Sequence, residues 1–331
     1  MTKLGYIKRM PIDMYRAQQR GGRGVKGLEK REDDFIQNIF VCGSKNGLLF
    51  FTNKGRVFRI KAYEVPESSR TSRGMNIKSI LPLAGDEKVS TVLALDNATD
   101  ENFLMMVTKN GVIKRTQIDQ YKNIRKTGII GITLREDDEL IEVKTTVKDD
   151  ELFVITKKGM SIHFSESEVR PLGRVSMGVK GIDLMNNDEV VGMQLNTQGE
   201  ALLIVSEKGM GKRTLLSEFT LQHRGGKGLK CYKITEKTGE IVGVKAVDDD
   251  HEIMMITDAG TIIQIGVSDI SLVSRITSGV KLINLDDGVE VAKIAKVREK
   301  VSDGTKEIDD VDTVANTEVE EIESAESTDD A

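Results

Sequence analysis

Seven residues, Gln18-Gln19-Arg20-Gly21-Gly22-Arg23-Gly24, gather two cations and three glycines, with Lys26 and Gly27 just beyond. Glycine lets a backbone turn sharply and approach a ligand closely. Guanidinium groups fork onto phosphate oxygens. The chemistry such a loop can do is capture of a polyanion. A shorter version recurs as Gln222-His223-Arg224-Gly225-Gly226-Lys227-Gly228. Two copies in corresponding places point to a repeat.

Other motifs carry no chemistry of their own. Gly22-Arg23-Gly24-Val25-Lys26-Gly27 matches GxGxxG, but a dinucleotide site needs a buried strand before it and a helix after it. Polar Tyr15-Arg16-Ala17-Gln18-Gln19 precedes it and charged Leu28-Glu29-Lys30-Arg31-Glu32 follows. Gly209-Met210-Gly211-Lys212-Arg213-Thr214 resembles the end of a P-loop, yet Arg213 stands where Ser or Thr must follow the lysine. His163, His223 and His251 show no metal-ligand spacing. GxSxG and HExxH are absent, and acid pairs recur at one place in a repeat, as turn residues do. No catalytic residue and no metal site is expected.

A recurring phrase organises the elements that must position the loops. An apolar run leads to Thr or Ser, two residues, Gly, and an alternating segment. The phrase occurs at Thr2–Gly5, Thr52–Gly55, Thr108–Gly111, Thr156–Gly159, Ser206–Gly209 and Thr257–Gly260. A steady period of about fifty residues marks a propeller or solenoid array. Each phrase reads as a β-hairpin, with glycine supplying positive φ. A second glycine follows about twenty residues later, at 24, 74, 128, 178, 228 and 279, in a loop that is basic in most units. An acidic turn then leads into a last strand. The reading is all-β: a six-bladed propeller-like ring of about four strands per blade, which leaves no long exposed edge. Blades are expected over 1–45, 46–98, 99–148, 149–197, 198–248 and 249–301. The first unit has no apolar strand before its Thr2 turn, so the first blade is expected either to lack that strand or to borrow one, with Val289–Val297 the candidate lender.

Charge is segregated. Residues 302–331 hold twelve Asp/Glu and one Lys, which leaves 41 acids and 47 bases over 1–301. The body is basic, as befits a polyanionic partner. The acidic tail, without an aromatic residue, is expected to be disordered. Cys42 and Cys231 lack CxxC spacing and are read as buried, reduced thiols of a cytosolic protein. No apolar run approaches eighteen residues and no signal-peptide core follows Met1, so no membrane partner is expected.

Comparing like positions in the repeat yields a cationic belt. Beginning three residues after the turn glycine are Lys8-Arg9, Phe58-Arg59, Lys114-Arg115 and Lys212-Arg213, with Ile162-His163 and Ile263-Gln264 in the other two units. The second-glycine loops carry Arg20 and Arg23, Arg70 and Arg73, Arg125 and Lys126, Arg170 and Arg174, Arg224 and Lys227, and Arg275. Corresponding positions in a ring lie at corresponding heights.

At the two glycine-rich boxes the chain resembles the C-terminal domain of the DNA gyrase A subunit, whose box reads Gln-Arg-Arg-Gly-Gly-Arg/Lys-Gly. The departure is Gln19 where the family usually has arginine. Gly5-Tyr6-Ile7-Lys8-Arg9, Phe51-Thr52-Asn53-Lys54-Gly55-Arg56-Val57 and Glu64-Val65-Pro66-Glu67-Ser68-Ser69-Arg70 also look like that family. The resemblance covers roughly residues 3–300 and implies a six-bladed β-pinwheel whose neighbouring blades interlock. It implies a non-catalytic, DNA-wrapping part of an ATP-dependent type II topoisomerase, bacterial, cytoplasmic and nucleoid-associated. The expected partners are double-stranded DNA, read with little sequence preference, the remainder of the gyrase A subunit, and the gyrase B subunit. No cofactor is expected in this chain, ATP and magnesium acting elsewhere in the holoenzyme. The box residues Gln18–Gly24 with Lys26, and the belt cations, are the expected DNA contacts. Alternatives are the equivalent domain of the topoisomerase IV A subunit, or a propeller that scaffolds protein partners. Bending a short duplex by 40–90° costs roughly 1–6 kcal/mol, so wrapping requires contacts on successive blades.

Overall fold

The computed structural model describes residues 1, 2, 4–11, 42–69, 72–95, 102–259 and 261–296. The first box, Lys26, Arg70 and the acidic tail lie outside the described residues. Among the described residues the regular structure is β, with short 3-10 turns.

The second to sixth units repeat one sequence of elements. The second unit holds β2 (Gly47–Thr52), β3 (Arg56–Lys61), β4 (Met75–Asn76) and β5 (Val89–Leu95). The third holds β6 (Phe103–Thr108), β7 (Val112–Gln117), β8 (Ile129–Ile130) and β9 (Leu140–Thr146). The fourth holds β10 (Glu151–Thr156), β11 (Met160–Ser165), β12 (Val179–Lys180) and β13 (Val190–Leu195). The fifth holds β14 (Ala201–Ser206), β15 (Met210–Leu215), β16 (Leu229–Lys230) and β17 (Ile241–Val247). The sixth holds β18 (Glu252–Thr257), β19 (Ile262–Gly266), β20 (Val280–Lys281) and β21 (Val291–Lys296), and β1 (Tyr6–Ile7) belongs to the first.

The sheets cut across these units. In units two to six the short third strand pairs with the return hairpin strand of the unit before it: β8 with β3, β12 with β7, β16 with β11, β20 with β15, and β4 with β1. Among the described residues the result is four four-stranded sheets, one three-stranded sheet and the two-stranded ladder β1–β4. The architecture is an all-β, propeller-like ring of small antiparallel sheets. The candidate lender stays in its own unit. Val291–Lys296 pairs with β18 in its own unit, Met255 opposite Ile294, as the last strand does in other units.

The hairpin turn explains the Thr/Ser-x-x-Gly phrase. Thr108 Oγ1 accepts the Val112 N–H at 3.1 Å and Thr156 Oγ1 accepts the Met160 N–H at 3.0 Å, so the hydroxyl caps the first donor of the return strand. The glycine meets two demands. Gly159 has φ +84°, and a Cβ there would stand 2.8 Å from the Tyr232 carbonyl of the next unit. The acidic turn also has a defined task. Asp188 Oδ1 accepts the Lys158 N–H at 2.9 Å, and Asp138 Oδ1 accepts the Asn110 N–H at 2.9 Å. Each carboxylate ties the two turns of its unit together.

The cores sit between units. Met105, Val107 and Ile113 pack with Leu152, Val154 and Ile162 in one cluster, and Phe153 and Ile155 pack with Leu202, Ile204 and Tyr232 in the next. Central strands are covered on both faces, which is why β2 and β14 are buried throughout and read as unbroken apolar runs. Each such side chain stabilises by about 1.5–3 kcal/mol when fully buried, so neighbouring units stand or fall together. The last strands β5, β9, β13, β17 and β21 pack on one another in that order. Their outward N–H groups are met by side chains: Thr91 Oγ1 takes Val143 N–H at 3.2 Å, Glu142 Oε2 takes Met193 N–H at 2.8 Å, and Gln194 Oε1 takes Ala246 N–H at 3.2 Å. Unpaired strand edges are thereby blunted.

Candidate nucleic-acid interface

The belt residues separate into two groups. The hairpin pairs are built into the fold. Lys114 is 0 % exposed, and its Nζ donates to the Gly131 carbonyl at 2.7 Å and to the Arg174 carbonyl of the next unit. Lys212 is likewise 0 % exposed and donates to the Ser274 carbonyl at 2.9 Å and to that of Arg275. Lys8 does the same to the Ser69 and Ser72 carbonyls at 3.2 and 2.8 Å. Each lysine is a peg under the second-glycine loop of the following unit. Burial, reinforced by Arg174, pushes the Lys114 ammonium down to about 7. Burial lowers Lys212 to about 8 and lowers Lys8 as well.

The arginines beside the pegs act as latches. Arg9 Nε donates to the Val65 carbonyl at 3.3 Å, Arg115 Nη1 to that of Val169 at 3.4 Å, and Arg213 Nε to that of Ile270 at 2.8 Å. His163, at the same place, pairs its Nδ1 with the Phe219 carbonyl at 2.8 Å, and Arg59 reaches the Lys122 carbonyl. These acceptors follow the 3-10 turn of the next unit. Carboxylates complete the latches: Glu67 at 3.2 Å from Arg9, Glu166 at 2.8 Å from Arg115, Glu151 at 2.9 Å from His163, and Asp249 on Arg213. Arg115 also lies 3.7 Å over the Phe103 ring. Burial pushes the Glu166 carboxyl up, against the pull of Arg115.

Lys114, Arg115, Lys212 and Arg213 therefore depart from the expectation that they face a ligand. The cause is strand exchange: the loop of the next unit lies over the hairpin and needs donors for its carbonyls. A buried carbonyl without a donor costs about 1–3 kcal/mol.

The second group faces solvent. Arg125, Lys126, Arg170 and Lys227 are exposed. Arg73 lies 5.1 Å over the Tyr6 ring. Arg174, half-buried, donates its N–H to Gln120 Oε1 at 2.9 Å. Arg224 is a strut: its N–H meets Glu168 Oε2 at 2.9 Å and its guanidinium donates to the Glu168 and Lys180 carbonyls at 2.9 and 3.0 Å. Arg275 repeats this on Glu218 Oε2 and the Lys230 carbonyl at 2.9 and 2.7 Å. These struts bring the exposed cations of one loop beside the short strand of the unit before.

That strand carries residues the belt omitted. Lys180, Lys230 and Lys281 end β12, β16 and β20 in equivalent registers, opposite Val112, Met160 and Met210, and all three are exposed. Lys180 contacts Asp183 at 2.7 Å. The signal was present as Gly-aliphatic-Lys at 178–180, 228–230 and 279–281, matching Gly24-Val25-Lys26. Lys122 is a further exposed cation beside Arg125.

In the second box, His223 is 97 % exposed at its side chain and meets Glu168 Oε1 at 3.1 Å. The Gln222 N–H donates to the His163 carbonyl at 2.7 Å, which fastens the box to the latch beneath it. The peg position there is Ile162, packed toward Gly226. Among the described residues, Asp248, Asp250 and His251 come close enough to share a cation, but His251 Nδ1 already accepts the Asp248 N–H at 2.7 Å, as in a structural turn. Cys231 is buried as expected, whereas Cys42 is only half-buried, and the two form no disulfide. No helix among the described residues is long and apolar enough to cross a membrane.

Fold and rim together define a β-propeller-type domain that presents exposed cations on successive interlocked blades. The chain belongs to the family described as DNA gyrase C-terminal domain, beta-propeller, whose model matches six segments: 1–43, 48–96, 102–146, 150–196, 200–248 and 251–298. It is 50 % identical to the DNA gyrase A subunit of Clostridium acetobutylicum over 318 residues, 96 % of this chain and 38 % of that protein. It is 43 % identical to the DNA gyrase A subunit of Staphylococcus aureus over 305 residues, 91 % of this chain and 34 % of that protein. The chain thus spans little more than a third of these curated relatives. Among solved structures it resembles a DNA gyrase A C-terminal domain with a TM-score of 0.74 and 27 % identity, covering 89 % of this chain and 97 % of that one. It also resembles the C-terminal domain of a DNA topoisomerase IV with a TM-score of 0.77 and 28 % identity, covering 89 % and 91 %.

Proposed function

We propose that this domain binds duplex DNA along the rim and bends it across successive blades, as the wrapping element of a DNA gyrase. The observation that carries the reading is the repeated placement of exposed cations, Arg125 and Lys126, Arg170, Lys180, Lys227, Lys230 and Lys281, on equivalent loops and short strands of consecutive units. Contacts of this kind go to phosphates, position the duplex and read little sequence. The pegs and latches hold those loops in fixed geometry. Arg20 and Arg23 of the first box are assigned the same task from sequence.

In the holoenzyme, the rest of the gyrase A subunit, together with the gyrase B subunit, supplies strand cleavage and ATP hydrolysis, in the cytoplasm. This chain supplies the path of the DNA. The test is writhe. The domain is incubated with relaxed circular DNA and topoisomerase I, and the product is resolved by linking number. A shift in linking number that grows with protein supports wrapping, and an unchanged distribution refutes it. In a reconstituted gyrase, Arg20→Ala with Arg23→Ala abolishes supercoiling and leaves relaxation. Undiminished supercoiling removes the box from the function.

A further inference from the structure

Thirteen large apolar side chains are exposed among the described residues, and eight of them lie on the rim loops or the short exchanged strands. Scattered apolar side chains on a surface are ordinary, but these are concentrated on the cationic rim. Val175 is 61 % exposed and Ile276 55 %. They hold the same place in the repeat, three residues before Gly178 and Gly279. Arg125 and Gly225 hold that place in the third and fifth units. Gly21 and Thr71 hold it in the first two, so aliphatic tips are confined to the fourth and sixth units, two units apart.

The two apolar tips sit on pegged loops. Lys114 holds the Arg174 carbonyl, next to Val175, whose own carbonyl accepts Thr133 Oγ1–H at 2.7 Å. Lys212 holds the Ser274 and Arg275 carbonyls, next to Ile276, and Thr277 Oγ1 closes the turn on the Ser274 carbonyl at 3.0 Å. The Gly225 loop rests on Ile162 instead. Buried lysines thus fix both loops whose tips are aliphatic, as Lys8 fixes the Ser69 and Ser72 carbonyls of the second unit. Exposed Arg170, Lys180 and Lys281 lie on the same loops and strands, so the face they share is complementary to a polyanion.

An aliphatic tip cannot sit on a phosphate, because it strips water from charged oxygens without replacing their hydrogen bonds. Against sugars and base edges in a groove it gains apolar burial. Resting on the DNA-binding reading above, we propose that Val175 and Ile276 are groove pins. They lodge in a groove of duplex DNA on the fourth and sixth blades, while the cations between them take the backbone, and so fix the rotational phase of the wrapped duplex.

The test compares the full chain with Val175→Ser/Ile276→Ser, whose fold is checked by thermal unfolding. Binding of a short duplex is measured by anisotropy across salt. Wrapping of a longer duplex labelled at both ends is measured by energy transfer, and phase by hydroxyl-radical protection. The expected result is short-duplex affinity within about twofold and an unchanged salt slope. The equilibrium constant for wrapping falls by about five- to tenfold, the scale of one to two methylene groups withdrawn from water over the two tips together. Protection repeating about every ten base pairs is flattened. Val175→Ile/Ile276→Val, which keeps aliphatic tips, restores both. Equal energy transfer and equal periodicity in the serine variant overturn the pins while leaving DNA binding intact. Failure of the wild-type chain to bind or compact the duplex overturns the parent reading, and the pins with it.

Discussion

Replacing Lys114 with Met tests whether the buried pegs govern the stability of the ring. The folded chain releases the Lys114 proton near pH 7, against 10.5 for an ordinary lysine, because burial and then Arg174 disfavour the charge. Between those values the unfolded state binds the extra proton, so rising pH favours the fold. One proton contributes about 1.4 kcal/mol per pH unit once titration in the folded state is complete. From pH 7 to pH 9, starting half-titrated, the gain from this lysine is roughly 2 kcal/mol. Lys212 and Lys144, each lowered to about 8 by burial first, rise later in the same window in both proteins. Cys231, raised to about 12 by burial, acts only above its ordinary value of 9.0, with the opposite sign. The assay is urea unfolding of wild type and Lys114→Met at pH 7, 8 and 9. The difference in unfolding free energy should widen in favour of the wild type by about 2 kcal/mol across that range. At any single pH, two losses offset each other: the donor to Gly131 and Arg174 disappears, and the cost of a buried charge goes with it. Only the trend is diagnostic. A difference that stays flat with pH would mean that Lys114 is as hydrated as an exposed lysine, and would remove the peg from the account.

Replacing Arg125 and Lys126 with Ala should flatten the log–log salt dependence of DNA binding by about two, at roughly 0.9 per phosphate contact, whereas Lys114→Met leaves the slope unchanged; gel shifts at several salt concentrations measure both. Arg115→Met strands the buried Glu166 carboxylate and should cost about 3–5 kcal/mol in urea unfolding, most of which Arg115→Met with Glu166→Gln recovers. Gly178 has φ +97°, and a Cβ there would stand 2.6 Å from the Ile113 carbonyl, so Gly178→Ala should lower stability by about 1–3 kcal/mol, read as a shifted unfolding midpoint.

The period, the hairpins and the all-β class were legible because each rests on a local demand that repeats. Thr recurs because the hydroxyls of Thr2, Thr52, Thr108, Thr156 and Thr257 each cap the N–H at the start of a return strand, while Ser206 in the fifth unit donates to the Met210 carbonyl instead, and Gly recurs because Gly5, Gly55, Gly111, Gly159 and Gly209 all take positive φ. The partner of the short third strand was not legible residue by residue. Val179-Lys180 is two residues long, and nothing within it says whether it pairs with its own hairpin or with Val112-Ile113 of the previous one. That choice is made by the loop between, whose length lets it cross to the neighbouring hairpin. The fate of the last strand was obscured for a related reason. Val291–Lys296 looked available because the first unit was expected to lack or borrow a strand, yet its place after an acidic turn is the place the last strands of the other described units occupy.

The division of the cations follows from the same exchange. Sequence comparison showed Lys114-Arg115 and Lys212-Arg213 at equal positions, which is as true of a structural clasp as of a binding belt. Repetition alone cannot separate them, because each junction between units needs its clasp as regularly as a bound duplex needs its contacts. What separates them is which groups the neighbouring loop covers. Crossing to the previous hairpin, the loop lays its carbonyls over the lysine and leaves its own tip and the end of the short strand outside. Lys180, Lys230 and Lys281 are therefore presented by the same crossing that buries Lys114 and Lys212. A cation two residues after the second glycine is a surface cation for a topological reason, and one three residues after the first is an internal one.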